Sequence, residues 1–192
     1  MQIHDGILEG ARQIASPNCD DRPGDEISLL VVHNISLPPG QFGGGWIDDL
    51  FTNRLDPGKH DYFREIHQMR VSSHVLIRRD GEIVQYVPFD KRAWHAGESS
   101  FEGRAACNDF SIGVELEGTD SVPYTEEQYR QLAGLIADLQ NHYPHITHDR
   151  ITGHRDIAPE RKTDPGEAFD WGKMWTLLDH EISLRDNSQN LI

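Results

Sequence analysis

Residues 27–32 read ISLLVV, a continuous apolar run rich in β-branched side chains. A strand with one wet face alternates apolar and polar residues, whereas a strand covered on both faces does not. The run therefore predicts a central strand in a sheet packed above and below, which restricts the chain to layered architectures with helices or loops over the sheet. The strand empties into His33 and Asn34. A polar pair at the end of a buried strand sits where open sheets commonly build their sites.

The flanking sequence supplies partners for that strand. Ile7, Leu8, Ala11 and Ile14 recur at helical spacing and predict a short N-terminal helix, ended by Pro17, Pro23 and Gly24. SLPPGQFGGGW, residues 36–46, is an irregular loop; its glycines do not form a phosphate-binding GxxxxGK(S/T) pattern. Trp46 to Phe51 suit a turn or two of helix, and 53–69 stay open between loop and short helix. Val71–Ile77 and Ile83–Val87 flank Asp80-Gly81, a tight-turn signal, so 71–88 predict a β-hairpin with His74 in its first strand. Trp94-His95-Ala96-Gly97 falls in a loop. Ser111–Glu117, SIGVELE, predicts a strand with Ile112, Val114 and Leu116 on one face and Gly113, Glu115 and Glu117 on the other. Two acids on one strand face are costly to bury without partners, so that face is an edge, a solvent face or a site.

Thr125–His142 carries the clearest helical pattern. Thr125 and Gln128 form a capping box, and Tyr129, Leu132, Leu135, Ile136 and Leu139 make the apolar stripe. A last helix starts near Trp171, with Met174, Leu177, Leu178 and Ile182 as its apolar face. The sequence thus predicts one α/β domain over residues 1–182, a central mixed β-sheet flanked by helices, and a polar C-terminal tail over 183–192.

Composition removes several function classes. Lys and Arg number 18 against 32 Asp and Glu, a net charge of −14. Such a surface repels phosphate backbones and anionic bilayers, so neither nucleic acid nor membrane is an expected partner. Asp5 and Glu9 stand where a signal peptide needs an apolar core, and no apolar run of about 20 residues occurs, so the expectation is a soluble cytoplasmic protein. The two cysteines, Cys19 and Cys107, have no metal-type spacing.

The chemistry concentrates in TGHRDIAPERKTDPG, residues 152–166, where Pro159 and Pro165 forbid one regular helix. The stretch offers His154, Lys162 and Asp164. A zinc hydrolase needs three protein ligands with an open position, a base for the attacking water and a donor for the oxyanion. His33, His154, Asp164, Glu115 and Lys162 are the candidates, though no pair has HExxH-like spacing. Periodicity leaves Glu115 and Glu117 equivalent. His142, His145 and His148 are spaced by three, but Pro144 breaks their helix and surface histidines are the simpler reading. A serine nucleophile lacks its GxSxG elbow. Cys107, with His95 or His74 as base, could be a nucleophile, but a lone cysteine beside an apolar strand is ordinarily core.

The strings SLLVVHNISLPPG, FGGGWID, HVLIRRDGEIVQYVPFDKRAWHAG, CNDFSIGVELEGTD and TGHRDIAPERKTDPG resemble the cytoplasmic AmpD-type N-acetylmuramoyl-L-alanine amidases, within the wider amidase-2 and peptidoglycan-recognition-protein fold. The resemblance spans nearly the whole chain. It implies one zinc held by His33, His154 and Asp164, with Glu115 as acid/base and Lys162 as oxyanion donor. It also implies Asn34 and Arg70 as substrate contacts and a small anhydro-muramyl peptide as partner; Trp94, as a ring to stack on the sugar unless it is core, His95 and Arg104 are further candidates for substrate binding, and a monomer is the expectation. The implied reaction cleaves the amide between the lactyl group of 1,6-anhydro-N-acetylmuramic acid and L-alanine of the stem peptide. That step belongs to cell-wall recycling and limits β-lactamase induction. Relatives often carry Arg before CND where this chain has Ala106, with Arg104 a substitute anchor. Two other readings are a silent peptidoglycan-binding module and a lytic amidase acting on intact wall. The first would lack a ligand, and the second usually has Cys where this chain has Asp164.

Overall fold

The computed structural model describes residues 2–189. Strands β1 (Arg12–Gln13), β2 (Leu29–Ile35), β3 (Val75–Ile77), β4 (Ile83–Gln85), β5 (Ser111–Glu117) and β6 (Ile151–Gly153) form one six-stranded mixed sheet in the order β6-β2-β5-β3-β4-β1. β2, β3, β5 and β6 run parallel, while β4 pairs antiparallel with β3. The expected hairpin is β3–β4. Gly81 stands at φ +89° in its turn, a conformation glycine adopts without penalty.

The two faces of β2 divide the core. Leu30 and Val32 join Ile112, Val114 and Leu116 of β5 beneath α3 (Glu126–His142) and α5 (Trp171–Gln189), which contribute Leu132, Leu135, Ile136, Met174 and Leu178. Leu29 and Val31 face the other way, against Ala96, Cys107, Phe110 and Ile157. Further along that second face, Leu76 and Val84 pack under α1 (Trp46–Phe51) and α2 (Asp61–Ile66) through Ile47, Leu50, Phe51 and Phe63. By strand alternation His33 and Glu115 belong to this second face. Burial of β2 on both sides is what its unbroken apolar run required.

The α3 capping box forms as the sequence predicts, and the Gln128 amide also donates to the carbonyls of Ile77 and Glu117, fastening the helix start to the sheet. Two short segments had no clear pattern: α2 caps on the His60 side chain, and α4 (His154–Ile157) follows β6 directly. The residues from Ile151 to Ile157 are therefore regular rather than loop.

Three expectations need correction. The N-terminal segment is not a helix: Ile3–His4 pairs antiparallel with Ile7–Leu8 around Asp5-Gly6, both at positive φ. Asp-Gly is itself a hairpin signal, and Leu8 is buried while Ile7 is exposed, so the period was two. His74 lies just before β3 rather than within it. The final helix does not yield to a loose tail at 183, because α5 continues to Gln189 and Arg185 reaches back to Asp138 and the Gly134 carbonyl on α3; residues 190–192 lie outside the described residues. Among the described residues no helix is long and apolar enough to cross a membrane.

The two acids of β5 are both buried in the middle of the sheet, so the edge and solvent-face alternatives are gone. Glu117 is satisfied: its carboxylate accepts from the Gly43 and Arg79 N–H groups, with Arg78 3.6 Å away. It ties the glycine loop to the sheet. Glu117→Ala strips these donors of their acceptor and is expected to cost about 2–4 kcal/mol, with Glu117→Gln losing less, measured by urea unfolding. A midpoint unchanged in the alanine variant would show the anchor to be idle.

Candidate active site

β2 and β5 pair in parallel with Glu115 opposite His33. β6 pairs on the other side of β2, and its end delivers His154 at the start of α4. Asp164 returns through the following turn, and its carbonyl accepts the Arg155 N–H at 2.9 Å. Gly153 permits this closure, since a Cβ there would stand 2.8 Å from Pro165 Cδ. The Asp156 carboxylate accepts from the Gly153 N–H and the Thr152 hydroxyl, steadying the helix start.

Three side chains meet as a result. His33 Nδ1 lies 2.9 Å from His154 Nδ1 and 3.1 Å from Asp164 Oδ2, and His154 Nδ1 lies 3.1 Å from the same oxygen. Among the described residues this is the group of His, Cys, Asp and Glu side chains able to hold a metal ion. His154 Nε2 faces the Ala96 carbonyl at 3.1 Å, so Nε2 carries the proton and Nδ1 presents a lone pair. A lone pair and a carboxylate oxygen at contact distance repel unless a cation lies between them. The edges fall slightly below the roughly 3.3 Å that tetrahedral zinc with bonds of about 2.0–2.2 Å requires. The donors are thus of the right type and nearly the right spacing for zinc. His142, His145 and His148 are exposed and form no such cluster among the described residues.

Beside the triad, Glu115 is buried and its Oε2 has no hydrogen-bond partner. Burial pushes its carboxyl well above the ordinary range; Asp164 pushes the same way and Lys162 opposes. The opposite holds for Asp164. Burial alone would raise it, but the His154 and His33 rings against it hold it far below the usual carboxylate range. Triad, Glu115 and Lys162 all line a cleft of about 630 Å³. Its other wall is apolar, from Leu37, Leu50, Phe51, Tyr62, Ile66 and Val71.

Comparison with known proteins agrees with this arrangement. The family model described as N-acetylmuramoyl-L-alanine amidase matches residues 23–167. The chain belongs to that family. It is 62% identical over 184 residues to the Escherichia coli 1,6-anhydro-N-acetylmuramyl-L-alanine amidase AmpD, covering 95% of this chain and 100% of that protein. It superimposes on a crystal structure of a selenomethionine AmpD derivative with a TM-score of 0.90 and 61% identity, covering 93% and 99% of the two chains. A more distant relative is the E. coli amidase AmiD, solved in complex with the substrate anhydro-N-acetylmuramic acid-L-Ala-D-gamma-Glu-L-Lys. Its TM-score is 0.58 at 29% identity, covering 89% of this chain and 60% of that one.

Not every side chain expected to bind substrate lines the cleft of this amidase. Asn34 does, with its amide donating to Asp120 and the Pro165 carbonyl. His95 does, but its ring nitrogens bond to His33 and Ser111. Arg70 is exposed beside the cleft residues Met69 and Val71. Trp94 turns its indole N–H to Asp20, and Arg104 pairs with Glu26 over the Phe110 ring in a separate depression. Arg78 is buried against Asp48 and Glu82. Cys107 is buried among Leu29, Val31 and Phe110, as core. The apolar wall went unread because its residues are scattered over the irregular 36–46 loop, the short 46–51 helix, the 53–69 span and Val71, with no pattern joining them. Asn108 and Arg161, which hold the 95–98 turn, also left no signal in the sequence.

In the metal-free amidase, burial lowers His33 to about 4 and holds His74 and His95 well below the ordinary imidazole range. These three stay neutral in the fold but protonate in the unfolded chain below about pH 6.5. Glu115 acts in the opposite sense, binding a proton in the fold that the unfolded chain releases above about 4.5. The unfolded state thus binds up to two more protons, so stability falls with acidity by up to roughly 2.7 kcal/mol per pH unit. Urea midpoints of the metal-free protein should drop between pH 7.5 and 5.5; a flat or rising midpoint contradicts the neutral-histidine assignment.

Proposed function

We propose that this amidase hydrolyses the amide joining the lactyl group of 1,6-anhydro-N-acetylmuramic acid to L-alanine of a stem peptide, with one zinc held by His33, His154 and Asp164. The observation that carries the reading is the buried, unpartnered Glu115 Oε2 beside two imidazoles and a carboxylate that converge at 2.9–3.1 Å in an open cleft. The AmpD name borne by relatives of full length and the anhydro-muramyl peptide bound to AmiD support the substrate. The proposal extends to a monomer acting in the cytoplasm on recycled wall fragments.

Zinc, when bound, acidifies a water molecule and polarises the carbonyl oxygen. The chain's residues supply the remaining steps. Glu115, whose carboxyl a cation held beside it would ionise, accepts the proton of the attacking water and returns it to the departing alanine amine. Lys162, at the cleft, donates to the oxygen that becomes negative at the tetrahedral stage. The apolar wall takes the sugar ring and lactyl methyl, and Asn34 and Arg70 meet the polar groups of the peptide.

The test is zinc content together with release of stem peptide from an anhydro-muropeptide, with intact sacculi assayed in parallel. The native protein is expected to carry about one zinc per chain and to cleave between lactyl and alanine. Asp164→Ala loses both. Glu115→Ala keeps zinc but loses about 10²–10⁴-fold in turnover, and Lys162→Ala loses about 10²–10³-fold in kcat. Near-normal turnover by Glu115→Ala would sink its assignment, and zinc without cleavage of the muropeptide would sink the substrate.

A further inference from the structure

We infer that His95 is a positioning residue that fixes which nitrogen of His33 faces the metal, and that the His95-Ala96 turn serves as a common outer clamp for both imidazole ligands. This rests on the zinc-site reading above.

The argument follows the protons. His33 and His154 turn the same nitrogen, Nδ1, into the triad. A nitrogen that ligates must present a lone pair, so the other nitrogen of each ring must carry the hydrogen and needs an acceptor. His154 Nε2 finds one in the Ala96 carbonyl, 3.1 Å away. His33 Nε2 meets His95 Nδ1 at 2.9 Å, with the two rings edge to face at 88°. Unlike a carbonyl, an imidazole nitrogen can donate or accept. His95 Nδ1 accepts from His33 only if its own hydrogen sits on Nε2, and that nitrogen faces the Ser111 hydroxyl at 3.1 Å. The arrangement this requires is a relay in which His33 Nε2–H donates to His95 Nδ1 and His95 Nε2–H donates to Ser111 Oγ.

The surroundings are built to hold this ring and turn. Gly113 lies two residues beyond Ser111 on the same strand face, and a Cβ there would stand 2.5 Å from His95 Cγ. Only glycine leaves room for the imidazole. Asn108 Oδ1 accepts from the backbone N–H groups of both His95 and Ala96, at 3.1 and 2.8 Å. Arg161 donates to the carbonyls of Ala96 and Glu98, both at 2.7 Å. Two adjacent residues thus hold the outer nitrogens of ligands 121 positions apart in sequence. The alternating face of β5 is assigned along its length: Ser111 and Gly113 to His95, Glu115 to the cleft, Glu117 to the glycine loop.

The experiment reads the tautomer and the metal separately. Long-range proton–nitrogen NMR spectra of the metal-free protein report the protonated nitrogen of each ring, and competition with a chelator gives zinc affinity. In the native protein His33 is expected as the Nε2–H tautomer. His95→Phe should leave a mixture at His33 and weaken zinc about 10–100-fold. His95→Asn places an amide oxygen near the former Nδ1 and should restore affinity to within a few-fold. Ser111→Ala removes the partner that keeps the His95 hydrogen on Nε2, and is expected to shift the His33 tautomer and weaken zinc to a smaller degree. If His95→Phe does not fold, Ser111→Ala and His95→Asn still decide the matter. Native zinc affinity with His33 wholly Nε2–H in His95→Phe or Ser111→Ala overturns the positioning role, as does failure of His95→Asn to recover affinity while folded. A native protein that binds no zinc overturns the metal reading instead, and the tautomer spectra then decide the relay on their own.

Discussion

The parallel pairing of β2 with β5 sets an imidazole next to a carboxylate deep in a sheet that is otherwise apolar. Every feature of the site depends on this adjacency. In so dry a setting charges are screened weakly, so Glu115, Asp164 and the neighbouring imidazoles shift one another strongly. Burial of a carboxylate without a partner costs several kcal/mol in general. The sheet sustains that cost because its opposite face is closed by α3 and α5, leaving the β2–β5 pair little freedom to slide. A register slip of one residue would turn His33 and Glu115 into the apolar layer.

What could be read from the chain, and what could not, follows from the range of the interactions involved. ISLLVV demanded cover on both sides, and α3 announced itself through cap and stripe, because those signals are local. At the N-terminus two local signals competed, and the Asp5-Gly6 turn prevailed over the spacing of Ile7, Leu8, Ala11 and Ile14. The extension of α5 beyond 182 depends on Arg185 meeting Asp138, a contact hydropathy does not register. Glu115 and Glu117 are indistinguishable by alternation. They differ only because backbone N–H groups from distant loops reach Glu117 and none reaches Glu115 Oε2. His33, His154 and Asp164 likewise have no spacing to betray their convergence, which the family resemblance implied.

The cleft combines a rigid polar side with an apolar side of different origin. His33 and Glu115 sit in paired strands, His154 opens the helix after β6 and Asp164 lies in the turn beyond it, whereas the apolar wall comes from loop and short-helix residues between 35 and 71. This division suits a hydrolase whose chemistry needs fixed atoms and whose substrate is a bulky sugar peptide. Arg78 and Arg104 are engaged in structural pairs, with Asp48 and Glu26, and do not turn their charge to the cleft. In a chain of net charge −14, Lys162 and Arg161 bring positive charge to a cleft that also holds Glu115 and Asp164.

The separation of His33 from its partner ligands also bears on the order of events as the chain folds. Small zinc modules whose ligands lie close together use the metal to create their structure. Here His154 and Asp164 are ten residues apart, but the third ligand arrives only when β6, β2 and β5 have aligned across long loops, the slow kind of closure. The group able to hold a metal ion, His33, His154 and Asp164, is therefore complete only in an essentially finished protein. Metal bound at that stage does little for the rate of refolding and instead lengthens the lifetime of the native state. Loss of a metal held there would be felt first as faster unfolding, before any change in the shape of the folded molecule.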